Sequence, residues 1–61
     1  MNKESIIREL QTRIMTCRKS EADAIEFIKE YGDDGLDLPN VYAYEAEFYE
    51  QILQLISHET N

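Results

Sequence analysis

Apolar residues recur alternately three and four positions apart along most of this chain: Ile7, Leu10, Ile14, Cys17, Glu21, Ala24, Ile28, Tyr31, then, after a short break, Tyr42, Glu45, Tyr49, Ile52, Ile56. Each ladder is apolar except at one glutamate. Such spacing keeps side chains on one stripe of an α-helix, so the chain must form helices that bury a seam. No strand-like alternation, internal repeat or low-complexity tract competes with that pattern.

The breaks fall where helix chemistry needs them. Asn2 or Ser5 can cap a first helix, with Glu4 and Glu9 near its positive end, and no Gly or Pro interrupts the pattern before Gly32. The only cluster of turn formers is Gly32-Asp33-Asp34-Gly35-Leu36-Asp37, after which Pro39 suits the first turn of a second helix. The reading is one all-α domain, with a helix over about 3–31, a turn over about 32–38 and a helix over about 39–57. So short a connection makes the helices antiparallel neighbours, a helical hairpin.

In a hairpin register with Tyr31 near Pro39, Ile28 faces Tyr42, Cys17 faces Leu53 and Glu21 faces Tyr49, while Glu45 faces Ile25. A three-helix monomer is the alternative, because Ser20-Glu21-Ala22-Asp23 resembles a capping box and would break the first helix near Lys19-Ser20. Phe27 also falls off the continuous stripe but joins Ala24, Ile28 and Tyr31 on one face of a separate short helix.

Size makes a lone hairpin marginal. A chain of 61 residues has little interior, and its single cysteine cannot close an internal disulfide. The apolar residues of the second helix also cover roughly half its circumference, more than one facing helix can bury. The surplus at Val41, Tyr44, Phe48 and Leu55 predicts self-association, with two hairpins dimerising into a four-helix bundle.

The net charge of −7 is unevenly spread. Residues 1–19 hold Lys3, Arg8, Arg13, Arg18 and Lys19 against Glu4 and Glu9, whereas residues 21–50 hold ten acids against Lys29 alone. An acidic surface repels phosphate backbones, so direct nucleic-acid binding is disfavoured and a partner protein with a basic surface is favoured. Glu26, Glu30, Asp33, Asp34, Asp37 and Glu47, with Tyr44 as an amphipathic aromatic, form the candidate partner surface. No apolar run is long enough for a membrane span and no leader pattern opens the chain, so the expected compartment is the cytoplasm.

Chemistry-bearing constellations are sparse. Glu21 and Glu45, the polar rungs of the ladders, read as seam devices that fix register and partner choice. Cys17 lies on the ladder, where a thiol acts as a small hydrophobe, and His58 lies near the chain end. Phosphate loops, nucleophile triads and zinc-ligand spacings are absent from the sequence, so no catalytic residue, metal or cofactor is assigned.

Two family likenesses bear on this plan. Gly35-Leu36-Asp37-Leu38-Pro39 opening an apolar helix resembles the second helix of the small aspartyl-phosphate phosphatases of sporulating bacteria, which are helical hairpins. That family's Ser-x-x-x-Asp falls near Glu45 and Tyr49 here, so the acting residues are missing. Two helices and a tight turn are also similar to the plasmid copy-number regulators of the repressor-of-primer type, which are dimeric four-helix bundles. That likeness is architectural and transfers no function.

The expectation is therefore a small acidic regulatory or inhibitory protein that acts by protein contact without catalysis. Its first rival is a nucleic-acid mimic that antagonises a DNA- or RNA-binding protein, of the kind a phage or other mobile element carries. A carboxylate enzyme or phosphatase-like hairpin is the weaker rival.

Overall fold

A computed structural model describes residues 2–33 and 35–58, and Asp34 of the candidate partner surface lies outside them. Two helices make up the described fold, α1 over Lys3–Tyr31 and α2 over Leu38–His58. No strand occurs among the described residues. The first helix is continuous through Lys19 and Ser20, so the three-helix alternative is not the observed fold. Helical propensity explains this: residues 18–24 contain no helix breaker, and the Ser20 cap would replace backbone bonds that the continuous helix already makes.

Each helix end has an identifiable cause. The Asn2 side chain accepts a hydrogen bond from the Glu4 N–H at 2.9 Å, satisfying one of the donors left open at the start of α1. At the other end the Gly32 N–H donates to the Ile28 carbonyl at 2.8 Å. The chain then turns through three residues of positive φ, Gly32 at 91°, Gly35 at 84° and Asp37 at 53°. The Asp33 carboxylate accepts from the Gly35 N–H at 2.9 Å, a local bond that shapes the turn. The Asp37 carbonyl accepts from the N–H groups of Asn40 and Val41, so α2 starts at Leu38 with Pro39 inside its first turn.

The core is thin. Leu10, Cys17 and Ala46 are the buried apolar residues, and Ala46 is fully covered. Leu10 and Cys17 are seven apart, the spacing that holds a seam between two helices. Small side chains at Cys17 and Ala46 let the backbones approach there.

The register differs from the one anticipated. Arg13, rather than Glu21, meets Tyr49, and Cys17 meets Glu45 rather than Leu53. Both shifts amount to roughly two helical turns along α1, while Arg18 reaches Glu50 with a smaller offset. The long dimension of the molecule, 47 Å, is little more than the length of about 43 Å that 29 helical residues span, so α2 lies alongside α1. Near the end of α1, Phe27 and Tyr31 form a tilted ring pair with centroids 4.8 Å apart and remain well exposed.

Candidate protein-binding surface

The seam has two edges with different chemistry. On one, Arg13 donates to Glu9 at 3.1 Å and to the Tyr49 hydroxyl at 3.4 Å, with its guanidinium carbon 5.8 Å from the Tyr49 ring centroid. These bonds, that to Tyr49 foremost, raise the Arg13 pKa further. One turn along, the Cys17 sulfur lies 4.0 Å from Glu45 Oε2. Burial pushes the Cys17 thiol pKa up, the Glu45 charge adds to that shift and Arg18 partly offsets it. Burial and a raised pKa are the setting of a packing thiol.

On the other edge Arg18 bridges the helices, donating to Glu21 at 3.0 Å and to Glu50 at 3.5 Å. The pairing with Glu21, chiefly, raises the Arg18 pKa. All three side chains retain solvent access, so the bridges contribute under about 1 kcal/mol each and act mainly on register.

Glu21 and Glu45, anticipated on the seam about one turn apart, open instead on opposite edges, Glu21 toward Arg18 and Glu45 toward Cys17. No charged side chain is buried among the described residues. The two carboxylates therefore line no common cavity, and no group of three or more metal-ligating side chains gathers among the described residues. An apolar groove of about 300 Å³ lies beside Tyr49, lined by Ser5, Ile6, Glu9, Leu10 and Arg13. It is shallow and open along its length.

The candidate partner residues among those described are at the surface but not all together. Glu26 and Glu30 leave α1 on the side away from Leu10, while Asp33 and Asp37 lie in the turn and Glu47 lies about 13 Å into α2 on its own outer flank. Tyr44, at 71% exposure, is the aromatic among them. The acids thus wrap around two outer faces and the turn.

The apolar surplus of α2 is more sharply placed. Val41, Phe48 and Leu55 recur every seven residues with Tyr44 between, a stripe roughly 60° wide on the helix. All four are exposed, Phe48 at 60% and Leu55 at 67%. Glu45 and Ile52 lie between this stripe and the buried seam, so the stripe borders the Arg13–Tyr49 edge. α2 thereby carries two apolar seams, one closed by α1 and one open.

Sequence reasoning counted Arg13 and Arg18 only as charges and missed their places at the two edges. The available signal was their spacing around Cys17, which puts them on either side of a seam rung. No helix among the described residues is long and apolar enough to cross a membrane. No protein-family model, curated protein or solved structure matches this chain.

Proposed function

We propose that the chain is a small acidic regulatory or inhibitory protein of the cytoplasm that acts by contact with another protein, without catalysis, and does so as a homodimer with four helices. The exposed stripe of Val41, Tyr44, Phe48 and Leu55 beside a three-residue core carries this reading. A monomer with so little interior gains stability only by covering that stripe.

The acidic turn and the outer flanks that hold Glu26, Glu30 and Glu47 remain open when the stripe is covered, and they supply the surface for a basic partner. A nucleic-acid mimic requires its acids on one exposed face, and the spread of these residues over two outer faces favours a protein partner instead.

The test uses the double variant Glu30→Lys, Glu47→Lys and the partner recovered by affinity capture from the native host. Association slows several-fold and loses its salt dependence while circular dichroism is unchanged. Unaltered association kinetics in a folded double variant would transfer the interface to the basic first half of α1.

A further inference from the structure

Resting on the self-association just proposed, we infer that the open seam of α2 is covered by α2 of a second copy running in the opposite direction, so that the two hairpins pack head to tail with the turn of each beside the chain ends of the other.

The stripe is matched to itself, and charge selects the direction. A twofold axis beside the stripe lays it on the same stripe of the second copy, antiparallel when the axis is perpendicular to the helices and parallel, with both turns at one end, when it runs along them. Phe48 is the midpoint between Val41 and Leu55, so in the antiparallel arrangement it meets its own copy near the axis, and Val41 meets Leu55.

The turn end is acidic from Glu21 to Asp37 with Lys29 its only cation, while at the other end Lys3 and Arg8 offset Glu4 and Glu9 and leave only Glu59. Packing with both turns together would set two strongly negative ends side by side. Head-to-tail packing sets each against a weakly charged end that contains cations.

The area fits a weak, reversible dimer. Tyr44 and Phe48 keep 71% and 60% of their surface exposed, so covering them with Val41 and Leu55 removes somewhat under about 1,000 Å² across the pair.

Orientation and assembly are tested separately in a Cys17→Ala background. Sedimentation equilibrium reports whether a dimer exists. Oxidation of Phe48→Cys reports the axis, with a disulfide-linked dimer expected within minutes and none from Val41→Cys alone. Because loss of Phe48 can weaken the dimer, a second variant leaves the stripe intact: spin labels on Asp33→Cys lie roughly 50 Å apart in the head-to-tail dimer and less than about 25 Å apart with the turns together. A short label distance in a sedimenting dimer overturns the head-to-tail arrangement but leaves self-association standing. A chain that stays at 7.2 kDa at every concentration overturns both.

Discussion

Gly32 ends α1 with φ 91° and ψ 165°, a backbone region that essentially only glycine occupies. A Cβ added there meets nothing within 4 Å, so the obstacle to substitution is the backbone and not a neighbour. Gly32→Ala is expected to lower stability by about 1 kcal/mol or more in urea unfolding, while the looser Gly35→Ala, at φ 84°, gives a comparable test of the same constraint. Cys17 makes a different kind of prediction. Its folded thiol holds its proton to higher pH than the unfolded thiol, whose ordinary value is near 9.0. Above that value the native state binds more protons than the unfolded one, so the stabilisation is complete below it and is lost as pH rises through the raised folded value. Thermal melts from pH 7 to 10 are expected to show a steeper alkaline decline for the wild type than for Cys17→Ala. Glu45→Gln removes one cause of the shift and speeds alkylation of the thiol at fixed pH.

At the scale of the helices, Ala46 has no exposed surface, so a larger side chain there has no room. Ala46→Leu forces the backbones apart and is expected to cost about 1–3 kcal/mol, read as a lower urea midpoint. Both helices and the glycine that divides them were legible from the 3.6-residue period. The register was not. Periodicity fixes which side of a helix faces its neighbour but says nothing about sliding along the axis. Glu21 and Glu45 were misplaced for that reason: the same faces came together, but Arg13 and Arg18 took the flanking positions. The exposure of Val41, Tyr44, Phe48 and Leu55 was legible, because the width of an apolar arc is independent of register.

At the scale of the whole molecule, the proposed dimer ties stability to association, because only three apolar residues are buried among those described and the second seam is uncovered. The melting temperature is expected to rise with protein concentration, as it must when only the associated state is fully folded, and differential scanning calorimetry across a hundredfold range of concentration measures this. A melting temperature independent of concentration would identify the hairpin as a self-sufficient monomer. The proposed dimer has a further bearing on the life of the protein in a cell. Proteases act on chains that open, so a hairpin stabilised by a second copy is expected to be cleared faster when dilute than when concentrated. Its level would then follow synthesis rate steeply, the behaviour of a threshold element.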